Sequence, residues 1–494
     1  MYLNQLGVYG WNEADENLLL ASLLTGDPLL LIGSHGAAKT HVAHKMAEAL
    51  GRSFIAYDAS KAMFEDILGY PNVEKLKQGI IEYVPSPVTI WDKEIVLIDE
   101  LNRAVPELQS KWLEIIRSRN VMGFETQVKW VWSAMNPVSY SATNALDEAL
   151  ISRYAIFLYP PAILEMTERD RIKVAEHING DDAPSLSEWT DGVRAKTVAS
   201  DNTEATGRAI EQCMRRAGGH FLRLKQEMGS LSEFLAKFAD LLLRESHGQI
   251  TLDGRRLGFI YRNLLANRAI ELAKAEGGYE EVPDFVESAR HVMFSSIPVG
   301  LNEEELNREQ ANHQIEICFD LLSTYFEEGA ELTRVNLVYE LFTTPDLMRK
   351  AELLLTHDLG EFALSKAWTD LLDEDRNLTL LAYVALQIDA RRPGTVPQEL
   401  LASLSDKIEP ADLSTRSISV LTGASVEYVE EVEELLDRDD DLRKIIAYEH
   451  IRRLTKEGEV TPARIERTAD AIEADIQRFE SLLHADLQEG GQVA

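Results

Sequence analysis

Residues Gly33-Ser34-His35-Gly36-Ala37-Ala38-Lys39-Thr40 have the types and order of a loop that cradles phosphate. They follow the all-apolar run Leu29–Ile32 and open a polar, alanine-rich stretch that reads as a helix to about Leu50. In that setting, backbone N–H groups of a tight loop face phosphate oxygens, and the helix N-terminus adds positive potential. Lys39 would meet the β- and γ-phosphates as a point charge, and Thr40 would offer a hydroxyl to Mg²⁺. The strict pattern has glycine before the lysine, and here the residue is Ala38. Alanine disfavours positive φ, so the loop is expected to pass Ala38 with ordinary dihedrals. A second group, Ile95-Val96-Leu97-Ile98-Asp99-Glu100, reads as a buried strand with two carboxylates at its C-terminal end. Open α/β sheets bind ligands at that end. Asp99 would hold Mg²⁺ through water, and Glu100 would orient and polarise the water that attacks a γ-phosphate.

The elements that must position these groups alternate. Ser53–Asp58, Val128–Met135 and Ala155–Tyr159 read as further strands, and Pro106–Arg119 and Asn144–Ser152 as helices. The alternation implies an α/β fold with a parallel sheet covered on both faces. Past residue 160 the pattern is mostly helical. Residues 178–206, rich in Asp, Ser and Thr, read as a loop or insertion. Leu231–Glu245 is a helix with Leu231, Phe234, Leu235, Phe238, Leu241 and Leu242 on one face, and Ser230 with Glu233 fits a capping box. Arg256–Ala275 is another helix, stopped at Gly277-Gly278. The rest reads as helices with short breaks such as Arg392-Pro393-Gly394, and as an apolar stripe over Val426–Leu436 before Asp439-Asp440-Asp441.

Composition excludes several classes. The chain has 494 residues and a net charge of −33. Residues 1–160 carry −6 of it, which leaves −27 for an acidic remainder. Such a surface repels phosphate backbones, which argues against direct nucleic-acid binding. Cys213 and Cys318 are too few for a disulfide framework or a four-cysteine zinc site. The histidines form no His-Glu-x-x-His, and there is no Gly-x-Ser-x-Gly elbow. No targeting signal or membrane-length apolar run is visible, which predicts a cytoplasmic protein.

With both motifs in hand, the chain resembles the AAA+ ATPases, and within them the MoxR branch. Asp99-Glu100-Leu101-Asn102-Arg103-Ala104 is similar to that branch's Asp-Glu-Ile-Asn-Arg-Ala signature, and its phosphate loops often end Ala-Lys-Ser/Thr. The resemblance is strong over residues 6–160, weaker to about 275 and absent beyond about 300. It implies an AAA+ α/β nucleotide-binding domain (1–160), a helical lid (161–297, with the insertion near 178–206) and a helical, acidic C-terminal domain (298–494). It implies a polar sensor at Asn136, in Ser133-Ala134-Met135-Asn136-Pro137, and an arginine finger at Arg153. The second sensor falls in Asp253-Gly254-Arg255-Arg256-Leu257, with Arg255 preferred and Arg256 the alternative. Arg103 would act across a subunit interface. Gly69–Trp91 and Asn120–Lys129 resemble two inserted hairpins that face a ring's central pore. Gly10-Trp11 lies where such chains pack near the adenine. Plainer readings stay open: an Asn-Pro turn for Asn136, surface arginines for Arg153 and Arg255, sheet-edge decoration for the hairpins, core for Trp11.

The implied protein is a ring ATPase, most often a hexamer, that uses ATP and Mg²⁺ to remodel or activate a client protein, as a chaperone does. Its usual partner carries a von Willebrand factor A domain, for which the acidic C-terminal region is the candidate dock. Two other readings are a nucleic-acid-linked motor of a restriction-like complex and an ATP-gated scaffold with little turnover.

Overall fold

The computed structural model describes residues 1–137, 144–181, 199–278, 281–301, 307–327, 332–357, 379–391, 441–456 and 460–489, with isolated positions between 393 and 438. Its contacts divide the chain into two compact units, one of Met1–Phe319 with Phe326–Gly329, the other of Asp320–Tyr325 with Ala330–Ala494.

The first unit is built on a five-stranded parallel sheet. Its strands are β1 (Leu29–Ile32), β2 (Phe54–Asp58), β5 (Ile95–Asp99), β8 (Trp130–Met135) and β9 (Ile156–Leu158), in the order β2-β5-β8-β1-β9. The interior strand β1 is apolar at every position because both faces are covered and both edges paired. Leu30, Ile32, Val96 and Ile98 pack with Trp112, Ile115 and Ile116 of the helix Pro106–Ser118. On the other side lies the helix Glu13–Thr25, capped by Asn12 and closed by Gly26 at φ 73°. The indoles of Trp130 and Trp132 donate to Leu23 O and Ser22 Oγ near that helix's end. Two antiparallel hairpins leave the sheet: β3–β4 (Tyr70–Pro71 with Tyr83–Val84) and β6–β7 (Asn120–Val121 with Phe124–Glu125).

This unit departs from expectation in four places. The helix Glu168–Asp181 enters the expected loop, and Ala199–Glu227 begins well before residue 206. From Thr206 onward the second of these buries a stripe of Thr206, Ile210, Cys213, Ala217, His220 and Leu224 at helical spacing. At Gly207 this helix runs against the end of the helix Lys39–Ala49, where a Cβ would sit 1.8 Å from Ala49 O. Residues 182–198 lie outside the described residues. Ser230 heads Leu231–Glu245 in helical conformation and its side chain makes no cap bond, so the capping box is not formed. The segment 144–147 is not helical, and only Glu148–Ile151 winds, capped by Asp147.

The helix Gly254–Glu276 is bonded into the α/β core. Buried Lys274 pairs with buried Glu16 at 2.7 Å, Arg262 forks onto Asp27 at 2.8 and 2.9 Å, and Asn263 donates to Ala155 O at 2.9 Å. The second unit is helical throughout its described elements: Leu332–Thr343, Leu347–Thr356, Thr379–Arg391, Asp441–Lys456 and Pro462–Glu489. Ion pairs link its helices, Arg453–Asp346 at 2.9 Å and Arg443–Glu480 at 2.7 Å among them. The Arg392-Pro393-Gly394 break and the Val426–Leu436 stripe lie largely outside the described residues. No described helix is long and apolar enough to cross a membrane.

Candidate nucleotide site

The phosphate loop leaves the C-terminal end of β1 and is anchored there by Gly33 N–H on Met135 O at 3.1 Å. Parallel pairing of Ile32 with Met135 and of Ile98 with Ser133 puts the ends of β1, β8 and β5 side by side. That juxtaposition gathers Lys39, Thr40, Asp99, Glu100 and Asn136, which are far apart in sequence, at one edge. Lys39, 8% exposed, donates to Gly33 O (2.7 Å) and Ser34 O (2.9 Å) and lies 3.4 Å from Asn136 Oδ1. Burial lowers the pKa of its ammonium, against the attraction of Asp99 and Glu100. Asn136 is buried, and its carbonyl takes a hydrogen bond from Asn102 Nδ2 at 2.8 Å. Asn102 is a supporting residue that the sequence reading passed over, although it stands within the Asp99–Ala104 signature.

Thr40 Oγ1 donates to Asp99 Oδ2 at 2.6 Å. Two hard oxygen donors sharing one corner suit Mg²⁺, which keeps several waters of its own. Among the described residues no cluster of three or more His, Cys, Asp or Glu could hold a metal by itself.

Two residues of this edge occupy the left-handed region: Ala38 at φ 55° and Glu100 at φ 56°. The first corrects the expectation of ordinary dihedrals at Ala38. The loop must turn into its helix there with or without glycine, so the alanine takes the strain. Replacing Ala38 with glycine is therefore expected to stabilise the protein by about 0.5–1 kcal/mol, the left-handed penalty less the added chain entropy of glycine. A raised midpoint of the first thermal transition would show it; an unchanged midpoint would mean that the position carries no strain.

Beside the loop is a cavity of 430 Å³ lined by Gly7, Val8, Tyr9, residues 34–38, His41, residues 162–164, Met166 and Val174. Gly7–Tyr9 of the N-terminal segment and the loop thus line one cavity. Trp11 is 5% exposed and belongs to the core. Gly10 stands at φ 83°, a left-handed backbone that favours glycine, with the Met166 side chain packed where a Cβ would be.

The arginines sit elsewhere. Ala155 N–H bonds to Pro28 O at 2.9 Å, so Arg153 lies at the start of β9, level with the start of β1. Its own phosphate loop begins at the other end of that strand, about 13 Å away by strand rise. Arg255 Nη1 donates to Ser152 Oγ at 2.9 Å, which brings it beside Arg153. Burial, then repulsion from Arg255 and Arg117, lowers the pKa of the Arg153 guanidinium. Arg256 is 4% exposed and gives its hydrogen bonds to the carbonyls of Tyr154, Ser296 and Ile151. Burial lowers its pKa to about 10, so it remains charged at neutral pH while fixing helix to core. Of the two candidates, Arg255 is the one left exposed.

The hairpins touch each other, which their separate positions in the sequence do not foretell. Tyr83 packs on Trp91 and Phe124 at ring distances of 6.5 and 6.1 Å, and its hydroxyl is 3.7 Å from Met122 Sδ. Tyr70, Val73, Ile81 and Val84 are exposed around them.

Strand order, phosphate loop and the acidic strand end define a phosphate-loop α/β protein with an all-α C-terminal region. Residues 28–154 match the AAA domain (dynein-related subfamily), and the chain has the AAA+ fold. No curated protein matches it. Among solved structures, a protein of Cytophaga hutchinsonii described as a "putative ATPase" is similar, with 16% identity and a TM-score of 0.41 over 64% of this chain and 92% of that one.

Proposed function

We propose that this protein is an ATPase of MoxR type that hydrolyses ATP at the subunit interfaces of a ring, with Mg²⁺, and so remodels a client protein together with a partner carrying a von Willebrand factor A domain. The observation that carries the ring is the place of Arg153. A finger one strand length from its own phosphate loop serves the site of a neighbour. Arg255, bonded beside it, would serve the same neighbour as second sensor. Within one subunit, Lys39 neutralises phosphate charge and Asn136 hydrogen-bonds the γ-phosphate or the attacking water. Thr40 directly, and Asp99 through water, would hold Mg²⁺, which would supply charge neutralisation on the phosphates. Glu100 accepts the proton of that water. The 430 Å³ cavity, with apolar walls at Val8 and Met166, suits the adenine.

Residues 161–297 would act as the lid and 298–494 as the dock for the partner. The exposed apolar hairpins would face the pore and the client. Both cysteines are free and buried, in keeping with a reducing cytoplasm. The test is the native mass of Glu100→Gln with and without Mg·ATP. A shift from small species to a ring of about six subunits is expected. A mass indifferent to ATP, with no ATP bound, would overturn the reading.

A further inference from the structure

Arg103 closes the 3₁₀ turn Leu101–Arg103 that follows Glu100. Its Nη1 lies 2.7 Å from Glu100 Oε2, and its Nη2 lies 3.2 Å from His35 Nε2. A guanidinium has only donors, so the imidazole must accept at Nε2. Arg103 Nε is buried without a hydrogen-bond partner, so the fork is held by its two ends. One end is the carboxylate that follows the acidic strand, and the other is the third residue of the phosphate loop. The strand end and the loop are thus tied by a single side chain, on the side of the sheet where Lys39 and Thr40 meet Asp99. A carboxylate that is to take a proton from water needs a lone pair facing that water. Here a guanidinium nitrogen at hydrogen-bond distance occupies Oε2, and Glu100 is held in left-handed backbone.

We propose that Arg103 is a positioning residue that works as a latch. It engages Glu100 Oε2 and ties it to His35, and a triphosphate entering the loop must open that tie before hydrolysis. The latch rests on the ATPase reading above. A tie within one chain is a different proposal from a role for Arg103 at a neighbouring subunit's site.

The test compares the Mg²⁺-dependent affinities of fluorescent ADP and of a fluorescent non-hydrolysable ATP analogue in the wild-type protein, Arg103→Ala, Arg103→Lys and His35→Ala. A merely structural residue would shift both affinities together. The latch opposes the terminal phosphate alone. Removing it is expected to raise the ratio of analogue affinity to ADP affinity by about two- to fivefold, the range of a half-exposed ion pair, and to raise basal turnover per site. Arg103→Lys cannot span both partners and is expected to behave as Arg103→Ala. His35→Ala moves the ratio in the same direction. A fall in the ratio would mean that Arg103 grips the terminal phosphate, and an unchanged ratio would mean that the tie has no function; either overturns the latch and leaves the ATPase reading standing. If the wild-type protein binds neither nucleotide, the ATPase reading falls, and the latch with it.

Discussion

Replacing Glu100 with glutamine is expected to lower ATP turnover by about 10²–10⁴-fold while ATP still binds. The amide keeps the shape of the side chain and loses the ability to take a proton. What would bind the phosphates and Mg²⁺ is untouched: Lys39 on its loop, Thr40 on Asp99, and the Asp99 Oδ1 that accepts from Glu100 N–H at 2.8 Å. The lost ion pair with Arg103 is partly exposed on both sides, so it contributes about 1 kcal/mol or less to the fold. Phosphate release per site and binding of a fluorescent ATP, measured on one preparation, separate chemistry from affinity. Lys39→Ala is the contrast, since it should lose binding itself. Turnover of Glu100→Gln within threefold of wild type would move the base elsewhere. Asp58, level with Asp99 on the neighbouring strand, would be the next carboxylate to test, though it is already engaged with Ser60 and Lys61.

The legible part of this protein is the part written in contiguous residues. An apolar tetrapeptide followed by a glycine-containing loop can be read without coordinates, as can four apolar residues ending in Asp-Glu, because each motif carries its own strand and its own chemistry. Parallel pairing then does the gathering, and alternation alone predicts it. What was hidden depends on partners distant in sequence. Asn144 looks helical by composition, but its N–H goes to Asn102 O and its side chain reaches Ala104 O, which holds 144–147 open. The Ser230 box has the right residues and fails on backbone angle. The tie from His35 to Arg103 spans 68 positions and leaves no periodic trace. Ala38 misled in another way. The general preference of alanine argued for ordinary dihedrals, but the turn from strand to helix fixes φ whatever residue is there, and the cost falls on stability.

Arg153→Ala is expected to cost about 10³–10⁵-fold in turnover, the scale of a finger that neutralises charge on the transferred phosphoryl group. The fold should survive it. Arg153 stands among Arg255 and Arg117, which already lower its pKa by repulsion, so removing one cation relieves the cluster. The ring argument predicts more than a loss. A heterologous interface pairs the phosphate loop of one subunit with the finger of the next. In a one-to-one mixture of Arg153→Ala and Glu100→Gln subunits, roughly a quarter of interfaces combine an intact Glu100 with an intact Arg153, so activity should return in the mixture although neither variant has it alone. A mixture as inactive as its components, with ATP bound, would place the action of Arg153 within its own subunit. That outcome would require the start of β9 to swing through a strand length toward its own loop. The bond from Ala155 N–H to Pro28 O and the burial of Tyr154 and Ala155 oppose such a movement. Arg256, spent on the carbonyls of Tyr154 and Ile151 on either side of Arg153, fixes this corner further. On the proposed reading, a finger held this rigidly on its own subunit would meet a phosphate on the next one.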